Sequence, residues 1–107
     1  MHWAVEFLND AVQAQLESLS ADLIASFYRV TRLIEIDGLQ KVHEPYVKHL
    51  DGPIWEIRMK SPEGIARAAY VTVRERRVII VHVFRKKTQK TLRRDIEIAL
   101  KRAREVR

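Results

Sequence analysis

The spacing of apolar residues in the N-terminal third of the chain predicts one strand followed by two helices. Residues 2–7 alternate between apolar and other side chains, which is typical of a β-strand. Apolar residues then recur every three or four positions over 9–18 and 20–36, as on the buried side of a helix. These two segments are predicted to form a helical hairpin. Residues suited to begin each helix and to end the second are Asn9, Ser20 and Gly38.

The rest of the chain predicts an irregular connection, three strands and a final helix. Proline and glycine interrupt residues 39–53, whereas strand-like runs cover 54–60, 65–73 and 78–84. Short turns between these runs predict an antiparallel meander, whose last strand is apolar on both faces and therefore central. A helix is predicted over residues 88–106. The residues of this helix expected to be buried are Leu92, Ile96, Ala99 or Leu100, Ala103 and Val106. Its expected solvent-exposed face includes Arg93, Arg94, Lys101, Arg102 and Arg104.

The order strand, two helices, three strands, helix places the chain in the α+β class. Its 107 residues, 47% of them apolar, are expected to form one domain, 1–107. The sequence has no cysteine, which excludes disulfides, thiolate metal sites and thiol nucleophiles. No signal peptide begins the chain, and its apolar runs are too short to span a membrane. We therefore expect a cytoplasmic protein without membrane contact.

Charge is distributed unevenly along the sequence. Residues 1–73 carry 7 Lys/Arg and 10 Asp/Glu, whereas residues 74–107 carry 13 Lys/Arg and 4 Asp/Glu. A surface that serves solubility alone would intersperse the two signs. Positive charge gathered at one end favours binding of a polyanion, most simply RNA.

The densest basic segment is residues 84–91, which contain Arg85, Lys86, Lys87 and Lys90. It lies between the predicted central strand and the last helix, where a helix N-terminus offers backbone N–H groups to an anion. Cations there oppose the helix dipole, and local conflicts of this kind are commonest at functional sites. The segment is a candidate phosphate site, with a solvated basic turn as the alternative. The predicted caps of the helix are Thr88 or Thr91.

A second candidate site consists of Arg58 and Arg67, which lie on neighbouring predicted strands and approach each other if they share a face. Arginine matches phosphate oxygens and stays charged, so such a pair suits a phosphodiester or its transition state. Glu56 and Lys60 flank Arg58 on the same strand face, and Tyr70 follows Arg67 by three residues. The alternative is a pair of surface arginines with Glu56 as an ordinary ion-pair partner.

Histidine and tryptophan add little independent chemistry. No histidine pair has metal-ligand spacing with a carboxylate partner, so no metal site is predicted. His82 falls within an apolar strand, which favours a core histidine over a general acid or base. Trp3 and Trp55 lie on apolar strand faces and are expected in the core.

Several segments together resemble the phage-derived Gp49-like and HigB-like branch of the RelE/ParE toxin superfamily. The strongest is Phe84-Arg85-Lys86-Lys87-Thr88-Gln89-Lys90-Thr91, preceded by His82-Val83. Upstream lie Leu50-Asp51-Gly52-Pro53-Ile54-Trp55-Glu56-Ile57-Arg58, Gly64-Ile65-Ala66-Arg67 and Tyr70-Val71. The resemblance covers nearly the whole chain, and it implies a RelE-like fold with the predicted order of elements.

The resemblance also implies an activity, that of a type II toxin which cuts messenger RNA on the ribosome without a metal or other cofactor. Carried over by position, Arg58 and Arg67 would bind the scissile phosphate, and Lys86 and Lys87 would join them, one as a proton donor. The further candidates for RNA binding are Lys60, Tyr70, Arg85, Lys90, Arg93 and Arg94. The candidates for general acid or base are His82 and Glu56.

One departure from the family keeps other functions open. Many relatives carry a tyrosine or another acid/base group near the C-terminus, and residues 103–107 contain no such tyrosine. The ParE branch shares the fold and inhibits DNA gyrase without cutting RNA, so a gyrase inhibitor is the alternative, as is a degenerate RNA-binding relative. The expected partners are the ribosome, messenger RNA and a cognate antitoxin of the helix-turn-helix type. That antitoxin would cover the basic face or bind the N-terminal helices.

Overall fold

The computed structural model describes residues 2–87 and 90–106. Within these residues, five strands and three helices follow one another, with a short 3₁₀ turn over Leu39–Lys41. Their bounds are β1 Ala4–Phe7, α1 Asp10–Glu17, α2 Ala21–Asp37, β2 Val47–Asp51, β3 Ile54–Ser61, β4 Gly64–Val73, β5 Arg77–Lys86 and α3 Arg93–Ala103.

The predicted helical hairpin is confirmed, including its caps. The Asn9 side chain accepts a hydrogen bond from the N–H of Val12 (3.0 Å), and Ser20 Oγ accepts one from Leu23 (3.3 Å). Each bond satisfies one N–H group that lacks a partner within its helix. Gly38 ends α2 at a φ of 91°, where a side chain would be strained.

The strands form one sheet in the order β1-β5-β4-β3-β2. Strands β3, β4 and β5 are the predicted antiparallel meander, and β1 pairs with β5 in parallel. Apolar layers cover both faces of the sheet. One layer contains α1 and α2 residues with Ile57, Ala68 and Ile80, and the other contains Val81 with Ala99 of α3. The central position predicted for β5 is therefore confirmed.

The irregular connection predicted over residues 39–53 is wrong, because β2 lies within it. This strand pairs antiparallel with β3, with Val47 opposite Ile57 and Lys48 opposite Glu56. A shift in register after His49 breaks the alternation that would mark a strand in the sequence. The pairing partner, rather than the local pattern, thus determines this strand.

The last helix is shorter than predicted, running over Arg93–Ala103. Leu92 occupies the N-cap position without a side-chain hydrogen bond and is exposed, so it is not part of the buried stripe. Thr91 does not cap the helix, and Thr88 lies outside the described residues. Arg102 was predicted on the solvent-exposed face of this helix, but its side chain is half-buried. None of the described helices is both long and apolar enough to cross a membrane.

Candidate nucleic-acid site

The register of the sheet places the predicted basic residues of β3, β4 and β5 on one face. Arg58 lies directly opposite Arg67, and in the adjacent row Lys60 and Lys86 lie on either side of Ile65. Cross-strand partners point to the same face of a sheet. Arg58, Arg67 and Lys86 therefore converge, and together we call them the basic cluster.

Glu56 lies within the basic cluster and is only 3% exposed. Its Oε2 is 3.3 Å from Arg67 Nε and 4.0 Å from Arg58 Nε. Its Oε1 accepts a hydrogen bond from Thr91 Oγ1 at 3.0 Å. The carboxylate thus partly neutralises both arginines. This ion pairing is the alternative to a phosphate site that the sequence left open.

Arg67 is also 3% exposed, and burial lowers the pKa of its guanidinium, with the nearby Arg58 adding to this effect and Glu56 opposing it. Its Nη1 donates to the carbonyl of Ala66 at 3.0 Å. Its Nε makes no hydrogen bond to the described residues, although Glu56 Oε2 lies 3.3 Å away as an ion-pair partner. A buried donor without an acceptor costs about 1–3 kcal/mol and calls for a functional explanation.

Lys86 is half-buried at the edge of the cluster, and its Nζ donates to Thr91 Oγ1 at 3.1 Å. Burial lowers the pKa of its ammonium, and the nearby cations Arg67, Arg58 and Lys48 lower it further, whereas Glu56 raises it. Lys48 reaches this surface because β2 places it opposite Glu56. The sequence interpretation missed Lys48, since it treated that segment as irregular.

The other predicted RNA-binding cations are exposed, but not all lie beside the cluster. Lys90 and Arg94 are exposed, as is Lys87, which was predicted to be a catalytic residue. Arg85 lies opposite Ala66, on the face that α1 and α2 cover, and so points away from the cluster. Arg93 is bound to carboxylates of Asp51 (2.8 Å) and Glu97 (3.5 Å).

Tyr70 and Trp55 are not where the sequence interpretation expected them. Tyr70, a candidate for orienting or binding RNA, is 1% exposed within the core beneath α1 and α2, and burial raises its pKa. It is a core residue, and this placement corrects the expectation of RNA contact. Trp55, expected in the core, is exposed and packs edge-on against His49.

His82 is buried and engaged at both ring nitrogens. Its Nε2 lies 2.9 Å from Asp95 Oδ1, and its Nδ1 lies 3.3 Å from Arg102 Nη1. Because a guanidinium can only donate, Nδ1 accepts, and the neutral ring donates from Nε2 to Asp95. Burial lowers the pKa of His82, with Arg102 adding to this effect and Asp95 opposing it.

These contacts favour the structural interpretation of His82 over an acid/base role. Ala69 separates His82 from Glu56 across the sheet, which places the two side chains about 10 Å apart. Arg102 also donates to the carbonyl of Val81 at 3.0 Å, so the network ties α3 to β5. The sequence interpretation did not single out Asp95, and it placed Arg102 in solvent.

A groove of about 730 Å³ adjoins the basic cluster between α2 and the end of β3. Its apolar lining includes three exposed side chains, Leu33, Ile36 and Tyr46. Cations from α2, β3 and β4 also line it: Arg29, Arg32, Arg58, Lys60 and Arg67. An exposed apolar patch with a charged rim is typical of an interaction surface.

Within residues 2–87 and 90–106, no three histidine, aspartate or glutamate side chains lie close enough together to hold a metal ion.

Comparison with known proteins agrees with the resemblance noted in the sequence. The family described as phage derived protein Gp49-like (DUF891) matches residues 14–104. A chain of the crystal structure of the archaeal RelE–RelB complex from Pyrococcus horikoshii OT3 shares the fold, with a TM-score of 0.59. It is 19% identical, and the match covers 81% of this chain and 98% of that one. No curated protein matches the sequence.

Proposed function

Because the chain belongs to the Gp49-like family of phage-derived proteins, we propose that it is the toxin of a type II toxin–antitoxin pair. Its proposed activity is metal-independent cleavage of messenger RNA on the ribosome. The observation that carries the proposal is the convergence of Arg58, Arg67 and Lys86 around Glu56. Fixed cations at such spacing stabilise a phosphodiester whose negative charge increases during cleavage.

The proposed reaction is attack of the RNA 2′-oxygen on the adjacent phosphorus. Glu56 accepts the proton of the 2′-hydroxyl while the new P–O bond forms. The bond from phosphorus to the 5′-oxygen breaks, and that oxygen takes a proton from Lys86. The products are a 2′,3′-cyclic phosphate and a 5′-hydroxyl. Burial and neighbouring cations lower the pKa of Lys86, which makes its ammonium a better acid near neutral pH.

The arginines bind the phosphate in this scheme. Arg58 is the more accessible of the two, with 24% of its side chain exposed, and makes the first contact. The Arg67 Nε, which makes no hydrogen bond to the described residues, then gains an acceptor when a phosphate oxygen arrives. Since Glu56 and Arg67 are nearly inaccessible, the cluster must open for RNA to enter. We infer that binding to the ribosome favours this opening.

The surrounding exposed cations give the RNA its path to the cluster. Lys60, Lys87, Lys90 and Arg94 are proposed to contact the phosphate backbone, with Lys48 as an added member. Backbone contacts release counterions, so binding should weaken steeply as salt increases.

The proposed partner is a cognate antitoxin, as RelB is the partner of RelE in the similar structure. We propose that an acidic amphipathic segment of this antitoxin occupies the groove between α2 and β3. Its apolar side chains would cover Leu33, Ile36 and Tyr46, and its carboxylates would pair with Arg29 and Arg32. Because Arg58 also lines the groove, a bound antitoxin would block the first contact with RNA.

Induced expression in bacteria tests the proposed function against its alternatives. The wild type is compared with Arg58→Gln and with Arg74→Gln, which replaces an exposed arginine in the turn after β4. We expect growth arrest and new messenger RNA 5′ ends with wild type and Arg74→Gln, both lost with Arg58→Gln. Arrest with intact messenger RNA and unsupercoiled plasmid would instead indicate a gyrase inhibitor. Absence of arrest would indicate an inactive RNA-binding relative.

A further inference from the structure

Thr91 occupies a position that its local sequence does not explain. It precedes α3 but does not cap the helix, and its side chain turns towards the sheet, where the residue is buried. There its single hydroxyl contacts two charged groups, the Lys86 ammonium at 3.1 Å and the Glu56 carboxylate at 3.0 Å. Glu56 belongs to β3 and Lys86 to β5, two strands that are separated by β4.

The direction of both hydrogen bonds follows from the chemistry of the groups. An ammonium can only donate, so Thr91 Oγ1 accepts from Lys86. The hydroxyl carries one hydrogen, and an ionised carboxylate only accepts, so that hydrogen is donated to Glu56. Both bonds involve a charged partner, which makes them stronger than bonds between neutral groups. Thr91 therefore fixes the separation of a cation and an anion that do not neighbour each other in the sheet.

We propose that Thr91 is a positioning residue for RNA cleavage, whose hydroxyl holds the proton donor Lys86 and the proton acceptor Glu56 in register across the scissile phosphate. The catalytic consequence rests on the proposed function, whereas the bridge itself does not. Without the hydroxyl, Lys86 and Glu56 lose the hydrogen-bond partner that they share, and their separation is no longer fixed by that bridge, although Glu56 keeps its ion pair with Arg67. The chemical step then slows, while contacts that bind RNA and the ribosome elsewhere are retained.

Isosteric replacement tests the proposal with purified protein, ribosomes and a short messenger RNA. Thr91→Val keeps the shape and removes the hydroxyl, and Thr91→Ser keeps the hydroxyl. We expect Thr91→Val to lower the single-turnover rate constant about 10- to 100-fold with little change in affinity for the ribosome, as for a catalytic group that is misplaced by about 1 Å. Thr91→Ser should restore most of the rate. Thr31→Val is the matched control, since Thr31 is a buried threonine whose hydroxyl, among the described residues, donates to the carbonyl of Tyr28 within α2.

A second measurement separates this inference from the proposed function. Titration of the Lys86 side chain by carbon-13 NMR needs no RNA cleavage. Removing the acceptor oxygen disfavours the charged ammonium, so the pKa of Lys86 should fall in Thr91→Val and stay unchanged in Thr91→Ser. Thr91→Ala is used in the same way if the valine variant does not fold.

Failure of the proposed function and failure of the Thr91 positioning role give different results in these two measurements. A wild type that leaves ribosome-bound RNA intact overturns the proposed function, and the lysine titration then decides whether the bridge exists. Cleavage by Thr91→Val at the wild-type rate overturns the positioning role, as does an unchanged Lys86 titration in that variant. A rate loss in Thr91→Val that serine does not restore would indicate a packing role and would also overturn the proposal.

Discussion

Replacing Glu56 by glutamine should destabilise the fold far more than its size suggests. The substitution keeps the shape of the side chain and an acceptor for Thr91, but it removes the charge that compensates Arg67. Both residues are 3% exposed, so the arginine charge would be left buried without a counter-charge. Breaking such a pair costs about 3–5 kcal/mol, and the retained acceptor reduces this to about 3 kcal/mol. For a chain of this length, that corresponds to a loss of roughly 13 °C in Tm.

Urea denaturation followed by circular dichroism measures the loss directly. The control is Glu6→Gln, because Glu6 forms a close ion pair with Arg77 (2.7 and 2.9 Å) at the surface, where 41% and 35% of the two side chains are exposed. An exposed pair contributes about 1 kcal/mol or less. The double variant Glu56→Gln/Arg67→Met should recover most of the stability, because it leaves no buried charge unpaired. Equal effects of the two glutamine variants would refute the reasoning.

Three further predictions concern other parts of the molecule. Burial lowers the pKa of His82 below its ordinary 6.5, so the unfolded chain binds a proton that the folded chain does not. The free energy of unfolding should therefore decline as pH falls below about 6.5, and it should decline less in His82→Gln. Urea midpoints measured across this pH range check both expectations. Asn9→Ala should cost about 1 kcal/mol in the same assay, because the N–H of Val12 loses its cap. Ile36→Glu should weaken copurification with the proposed antitoxin, whereas Leu92→Glu should not, because Leu92 is also exposed but lies outside the groove. Equal copurification of the two variants would place the antitoxin elsewhere.

Local sequence signals sufficed for much of the fold. Asn9 and Ser20 mark the helix starts because capping is a contact between neighbours in sequence. The meander and the RelE-like fold were likewise predictable, from alternation, short turns and the resemblance. Strand β2 could not be predicted in this way, because its pairing and its register shift depend on β3, a partner elsewhere in the chain.

The sequence indicated which cations belong to the candidate site, but not how they are arranged. That Arg58 and Arg67 are direct neighbours follows from a hairpin register that spacing suggested but could not fix. The bridge through Thr91 joins residues 35 positions apart, and the contact between His82 and Asp95 spans 13. Such contacts depend on how α3 docks on the sheet, which periodicity alone does not specify. Tyr70 was misassigned for a local reason: it follows Arg67 by three residues, an odd spacing that places the two side chains on opposite faces of β4.

The most direct test of the central claim is the chemistry of the RNA ends produced by the purified protein on ribosome-bound messenger RNA. We expect wild type and Arg74→Gln to form fragments with 2′,3′-cyclic phosphate and 5′-hydroxyl ends. Arg58→Gln should form these fragments at least about 100-fold more slowly, since a fixed charge on the phosphate is lost. Intact messenger RNA, fragments with 5′-phosphate ends, or undiminished cleavage by Arg58→Gln would contradict the proposed activity.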